Sequence, residues 1–197
     1  MKRLAVCVFA LCLLGVVPAF ADAILYFNGA LDGNTEGFDV THGVVSNSFN
    51  VWSDATMTGF DFASWNEASK VISTVDWAIG TTPFASDVDS GTASVSSAFD
   101  FHNGWNWDVD TNAVSGLSVR LDTGITYWLT LTNASTLALW DMNGGPSGAY
   151  DQSITSLIAS ETFDVTGVVP ARELGTIGLM GSGMLAMLGL LRRSKIG

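Results

Sequence analysis

The sequence predicts an all-β domain in the middle of the chain, an antiparallel β-sandwich of the jelly-roll type. Hydrophobic and polar residues alternate with a period of two along several segments, which is typical of strands with one buried face. No window of 12 or more residues in this region combines helical periodicity with capping residues. Glycine, aspartate and asparagine turns separate the segments, and we expect about nine or ten strands.

The alternation is clearest in a few segments. Hydrophobic residues occupy every second position at 117–121, 125–131 and 163–165, and also at 71–79 with the exception of Ser73. Asn103-Gly104 lies between two further strand-like segments, and both residues tolerate positive φ. This dipeptide therefore predicts a tight hairpin turn.

The first 21 residues are predicted to form a secretory signal peptide. Residues 1–3 are positively charged, residues 4–17 are apolar, and residues 18–21 supply the small side chains of a cleavage site. Both cysteines of the chain lie in the apolar run. We therefore expect the exported chain to contain neither a disulfide bond nor a thiolate metal ligand.

Residues 169–197 are predicted to contain one transmembrane helix and a basic tail. The 18 residues from Leu174 to Leu191 carry no charge, and as a helix they extend about 27 Å, close to the ~30 Å hydrocarbon core of a bilayer. Basic residues follow at 192–195, beginning with Arg192 and Arg193. By the positive-inside rule, this tail stays cytoplasmic and the preceding chain lies outside. A buried helix of a soluble domain is the alternative.

A short motif, a glycine-rich apolar span and terminal arginines together resemble the PEP-CTERM sorting signal of secreted bacterial proteins. One register aligns Gly175-Thr176 with the family pattern and places Glu173 on its glutamate, with Arg172 and Leu174 in place of the two prolines. The other register keeps Val169-Pro170 and loses the glutamate. The resemblance implies processing by an exosortase, a membrane transpeptidase-like enzyme.

Several segments of the central region are also similar to a recurring type of PEP-CTERM ectodomain. They are the strand and turn phrases at 74–79, 124–131, 140–148 and 161–165. This resemblance implies a β-sandwich ectodomain over residues 22–168. It also implies an association with exopolysaccharide and biofilm formation.

The body of the chain, residues 24–169, is strongly acidic. It contains 17 acidic residues and two basic residues, Lys70 and Arg120, so its net charge is −15 with neutral histidines. Such a surface repels nucleic acid and anionic membranes, which makes both poor partners. Solubility outside the cell is one interpretation of this acidity, and binding of divalent cations is another.

We predict no enzymatic activity. The body contains two histidines, His42 and His102, which are far apart in the sequence. A Ser-His-Asp triad is the alternative among so many serines and aspartates, but the nucleophile-elbow pattern is absent from the sequence.

Three residues suggest a calcium site. Asp108, Asp110 and Asn112 have the D-x-D-x-N spacing of the first half of a calcium-binding loop. The complete loop has a glycine at its sixth position and a glutamate at its twelfth, where this chain has Ala113 and Val119. Calcium is the only cofactor that we consider, and solvated loop acids are the alternative interpretation.

Seven tryptophans, all in the body, suggest a carbohydrate site. Trp105 and Trp107 flank the predicted turn and share a face with Val109, so core positions are favoured for both. If exposed, they would form an aromatic surface for sugar rings, with Asn103, Asn106 and Asp108 as hydrogen-bonding neighbours.

The sequence therefore favours an exported, non-enzymatic structural or interaction protein of the extracellular polymeric layer. A carbohydrate-binding module, with or without calcium, is the alternative. We expect export across the inner membrane, at least transient anchoring by the C-terminal helix, and delivery to the cell surface or matrix.

Overall fold

The computed structural model of the protein describes residues 22–33, 36–154 and 156–170. The predicted signal peptide, transmembrane helix and basic tail lie outside these residues. In the described part of the chain, no helix has the length and hydropathy of a membrane span. The regular elements of the described residues are all β-strands, which confirms the predicted all-β class.

The described residues form two antiparallel sheets. Their thirteen strands are β1 (Ala23–Phe27), β2 (Gly37–Asp39), β3 (Val44–Phe49), β4 (Ala55–Asn66), β5 (Thr74–Gly80), β6 (Asp89–Ser94), β7 (Ser96–His102), β8 (Asp108–Leu121), β9 (Tyr127–Thr132), β10 (Ala138–Asp141), β11 (Ala149–Asp151), β12 (Ser156–Ile158) and β13 (Phe163–Val168). Sheet A contains β1, β2, β4, β7, β8, β10 and β13, and sheet B contains β3, β5, β6, β9, β11 and β12. Two antiparallel sheets fit the predicted β-sandwich, although the strands outnumber the nine or ten expected.

Strand β4 organises sheet A. Its 12 residues pair with β8 along one edge, from Ala55 to Asn66. Along the other edge, β13 pairs with residues 56–62 and β10 pairs with residues 64–66. Two short strands therefore lie end to end beside one long strand, which brings β10 and β13 next to each other.

One hydrophobic core lies between the sheets, and its largest fully buried aromatic side chains are Trp140, Phe49, Phe60, Phe62 and Phe163. Rings of the two sheets meet in this core. The ring centroid of Phe49 in β3 lies 6.2 Å from that of Phe163 in β13. The ring centroid of Phe60 in β4 lies 6.5 Å from that of Trp77 in β5. Burial of this apolar surface is the main contribution to the stability of the fold.

The predicted period-two alternation is confirmed within the strands. Every second residue is buried in β5, β9 and β13: Val75, Trp77, Ile79, Tyr127, Leu129, Leu131, Phe163 and Val165. The prediction was wrong just before two of these strands. Val71 is 59% exposed and Ile125 is 42% exposed, because β5 begins only at Thr74 and β9 only at Tyr127.

The predicted hairpin between β7 and β8 is confirmed, but its turn is longer than the Asn103-Gly104 dipeptide. The connection spans residues 103–107. The positive φ, 63°, belongs to Asn106. The backbone closes the loop through two hydrogen bonds, from the N–H of Asn103 to the carbonyl of Trp107 and from the N–H of Asn106 to the carbonyl of Asn103.

Candidate functional site

The candidate site is an aromatic platform, which we define as Trp105 and Trp65. Trp105 lies in the loop between β7 and β8 and is 57% exposed, whereas Trp65 lies in β4 and is 5% exposed. Their rings are stacked, with centroids 5.3 Å apart and an interplanar angle of 27°. A buried indole therefore supports an exposed one.

Asp141 of β10 holds Trp65 and a neighbouring loop in place. Its Oδ1 accepts hydrogen bonds from Nε1 of Trp65 at 2.6 Å and from the N–H of Gly33 at 3.1 Å. Its Oδ2 accepts from Oγ1 of Thr162 at 3.0 Å and from the N–H of Asp32 at 3.3 Å. Burial raises the pKa of Asp141, and the hydrogen bonds oppose this shift.

Asn103 builds the loop that carries Trp105. Its Oδ1 accepts hydrogen bonds from the N–H groups of Trp105 and Trp107, each at 3.0 Å. Asn103 is 7% exposed, so the structure places it under the loop and not at the surface where a sugar neighbour was expected. Trp107 is half-buried, and Trp105 is exposed, contrary to the core position that the sequence favoured.

Two exposed polar residues, His102 and Asn106, flank Trp105 in the chain. Nδ1 of His102 lies 2.7 Å from Oδ1 of Asp108, and this contact ties the imidazole to the start of β8. Both side chains are exposed and can form hydrogen bonds, and the ring of His102 also packs on Phe99, with centroids 5.0 Å apart. Asn106 was expected to be a hydrogen-bonding neighbour of the platform, whereas His102 was not selected for this role because it belongs to no recognisable motif.

The structure places Asp108, Asp110 and Asn112 in strand β8 and not in a loop, and all three are buried. Oδ2 of Asp108 accepts from the N–H of Ser69 at 2.8 Å, and Oδ2 of Asp110 accepts from Nδ2 of Asn66 at 2.8 Å. Burial raises the pKa of Asp110, although the Asn66 bond lowers it. Within the described ranges, no three His, Cys, Asp or Glu residues are grouped as metal ligands. Calcium binding at these positions stays a prediction.

The sequence analysis missed a pair of carboxylates on the face of sheet A that carries Trp65. Asp61 and Asp164 are direct partners in the pairing of β4 with β13, and Asp61 shares a face with Trp65 because they are four residues apart in one strand. The pair lines a cavity of about 130 Å³ beside the exposed ring of Phe27.

Both carboxylates have a raised pKa, and Asp61 contributes to the shift of Asp164. Burial, followed by repulsion from Asp61, raises the pKa of Asp164 to about 6, and burial also raises the pKa of Asp61. The residues are far apart in the chain, and only the strand register brings them together. A single sequence contains no signal for such a register.

The structure describes one residue of the predicted sorting motif, Pro170, which is exposed just after β13. Glu173, Gly175, Thr176, Arg192 and Arg193 lie outside the described residues. Recognition of this motif by a processing enzyme therefore stays a prediction.

No protein-family model matches the chain, and no curated protein and no solved structure is significantly similar to it.

Proposed function

We propose that the protein is an exported, non-enzymatic β-sandwich of jelly-roll type that acts as an interaction component of the bacterial cell surface or extracellular matrix. The predicted signal peptide at 1–21 and the three-part C-terminal signal at 169–197 support this proposal. During sorting, its expected partners are the membrane and an exosortase-type enzyme. The net charge of −15 in residues 24–169 supports a soluble extracellular body and disfavours nucleic acid.

Within that role, carbohydrate is the ligand that the geometry supports best. The observation that carries this proposal is the exposed indole of Trp105 stacked on the buried indole of Trp65. The C–H faces of a sugar ring pack against an aromatic face, and the contact removes apolar surface from water. Exposed hydrogen-bonding residues close to Trp105 in the chain, His102 and Asn106, suit the hydroxyl groups of a sugar.

The platform is also preorganised. Asp141 fixes Trp65, and Asn103 fixes the backbone on both sides of Trp105. A ligand therefore finds the exposed indole already held in position, and little side-chain entropy is lost on binding. Because the body is acidic, we expect a neutral polysaccharide and not a polyanionic one.

Binding of the full chain to a panel of insoluble neutral polysaccharides, including one extracted from the native cells, tests this proposal. We expect Trp105→Ala to weaken binding by about tenfold or more, equivalent to about 1.4 kcal/mol. Trp52→Ala is the matched control, because Trp52 is 67% exposed but lies between β3 and β4, away from the platform. Equal binding by wild type and Trp105→Ala would contradict carbohydrate recognition at Trp105.

A purely structural matrix component is the second candidate, and the two predicted targeting segments favour it. In native cells, deletion of residues 169–197 should release a folded body into the medium. Unchanged membrane retention after this deletion would contradict sorting by the C-terminal segment. If the body is released, and if Trp105→Ala and Trp52→Ala both bind polysaccharide as the wild type does, the structural role is favoured over carbohydrate binding.

A further inference from the structure

Glu161 is a fully buried acid in the segment that leads into β13. Its exposed fraction is 0%, and among the described residues neither Oε1 nor Oε2 has a hydrogen-bond partner. Oδ1 of Asn47 accepts the N–H of Glu161 at 3.0 Å, but Nδ2 of Asn47 does not donate to the carboxyl. A carboxylate in this position would be charged, dehydrated and unpaired, which is strongly unfavourable.

The charged groups that face Glu161 are all acidic. They are Asp141 of β10, Glu36 before β2, and Asp151 of β11. The lysine and arginine in the described part of the chain are both exposed, and neither forms an ion pair with Glu161. Burial, followed by repulsion from these three acids, raises the pKa of Glu161 well above its ordinary value.

The backbone of Glu161 lies where four segments of the chain meet. We call this region the junction and define it as Asn28, Asn47, Asn143, Ser160 and Glu161. Nδ2 of Asn28 donates to Oγ of Ser160 and to the carbonyl of Glu161. Asn143 donates from Nδ2 to the carbonyl of Asn28 and from its backbone N–H to the carbonyl of Ser160, both at 2.7 Å.

We propose that Glu161 holds a proton in the folded protein at neutral pH and that its ionisation at higher pH opens the junction. A neutral carboxylic acid leaves the surrounding hydrogen bonds intact. A charge at the same place has no donor to stabilise it, so the folded protein must admit water between the four segments.

The junction also connects with the aromatic platform. Asn28 begins the loop 28–33, whose N–H groups at Asp32 and Gly33 bind Asp141 under Trp65. An open junction therefore loosens the loop that is bonded to Asp141, the residue that holds Trp65. Weaker sugar binding at high pH is a consequence that rests on the proposed function, whereas the opening itself does not.

Infrared spectroscopy tests the protonation directly. We expect the difference spectrum between the wild-type full chain and Glu161→Gln at pH 7 to contain the carbonyl band of a protonated carboxylic acid. Glu67→Gln is the matched control, since Glu67 is exposed and its difference spectrum should contain carboxylate bands. Carboxylate bands alone in the Glu161→Gln difference spectrum would overturn the proposal.

The pH dependence of unfolding tests the coupling to stability. In the unfolded chain the pKa of Glu161 is near its ordinary value of 4.5. Above that pH the folded state therefore binds one more proton than the unfolded chain does. The stabilisation is complete below pH 4.5 and is lost as the pH rises to the folded-state pKa. Across this window the unfolding constant of the wild type, relative to that of Glu161→Gln, should rise tenfold per pH unit. Parallel pH profiles for the two proteins would overturn the proposal.

Hydrogen exchange locates the opening. At alkaline pH the amide of Asn143 should exchange faster in the wild type than in Glu161→Gln at the same pH, because the sequence around Asn143 is unchanged and its intrinsic exchange cancels. Equal rates would overturn the opening of the junction.

A calcium titration distinguishes a proton from a cation at Glu161. Both proteins are stripped with EDTA and then titrated with Ca²⁺ while Tm is measured. If Ca²⁺ raises the Tm of the wild type but not that of Glu161→Gln, a bound cation and not a proton neutralises Glu161. That result would overturn the proposal.

Discussion

Trp65 and Asp141 are joined by a 2.6 Å hydrogen bond from the indole Nε1 to Oδ1. The bond connects β4 with β10, and Trp65 in turn stacks under the exposed Trp105. A contact in the buried part of the molecule therefore determines the position of a surface residue. The geometry of the platform depends on Asp141 as much as on the tryptophans.

Asp141→Asn should destabilise the protein by about 1–3 kcal/mol. Three of the groups bonded to Asp141 are N–H donors, and an asparagine presents only one acceptor oxygen to them. At least one buried donor then loses its partner. Urea unfolding at pH 7 measures the change, and the total tryptophan fluorescence should change with it, since Trp65 and Trp105 contribute to it.

Asp122→Asn is the control for the loss of an aspartate charge. Asp122 is exposed and accepts a 3.1 Å bond from Nε of Arg120, a solvent-screened surface pair whose loss should hardly change stability. If Asp141→Asn and Asp122→Asn are equally stable, Asp141 does not have the supporting role inferred here.

Phe49→Ala should cost about 3–5 kcal/mol, because the side chain fills the space between the sheets. Its ring centroid lies within 6.2 Å of those of Tyr26, Tyr127 and Phe163, which belong to both sheets. Phe99→Ala is the matched control, because Phe99 is 56% exposed and its loss should change stability by less than about 1 kcal/mol. Similar losses for both variants would show that the core is not where the structure places it.

Much of the fold could be predicted because strand periodicity is a local signal. The alternation at Val75, Trp77 and Ile79 identifies both the strand and its buried face without knowledge of its neighbours. The same signal fails at Val71, since a polar–apolar alternation can continue past the point where pairing ends. The hairpin was found from Asn103-Gly104, but the length of its loop depends on contacts of the Asn103 side chain that no local pattern contains.

The candidate site was only partly predictable. Trp105 could be recognised from the sequence as an aromatic residue near a turn. Its exposed position could not, because it is set by stacking against Trp65, which is distant in the chain. The pairing of Asp61 with Asp164 is likewise a matter of strand register. Glu161 begins one of the recognised strand segments, at 161–165, but nothing in that segment indicates its burial, which follows from the meeting of four segments. Such long-range contacts follow from tertiary packing and not from local propensity.

Asp164→Asn should make the stability of the protein less dependent on pH between about 4 and 6. The pKa of Asp164 is about 6 in the folded protein, against an ordinary value of 3.8. The folded state therefore keeps a proton that the unfolded chain has already lost. The contribution of Asp164 to the free energy of unfolding is therefore fully present below pH 3.8 and is lost as the pH rises through 6. The Asp164→Asn variant lacks this decrease. Urea unfolding at several pH values measures it.

Repulsion between the paired carboxylates has its own test. Asp61→Asn removes the neighbouring charge, so the pKa of Asp164, followed by NMR titration, should decrease. Asp89→Asn, at an exposed position in sheet B, is the control and should leave the titration of Asp164 unchanged. An unchanged pKa in Asp61→Asn would contradict the contact between the two acids.

Gly59→Ala should destabilise the protein by at least about 1–3 kcal/mol, because the backbone leaves no space for a side chain. A Cβ at this position would lie 2.2 Å from the carbonyl oxygen of Val114 in β8 and 3.2 Å from Oγ1 of Thr166 in β13. Gly59 lies where the register of β4 shifts against both neighbouring strands, so the clash can be relieved only by moving a strand. Gly104→Ala is the matched control, since a Cβ there meets no atom within 4 Å. Thermal unfolding should separate the two variants, and equal Tm values would mean that β4 and β8 are not as closely apposed as the structure describes.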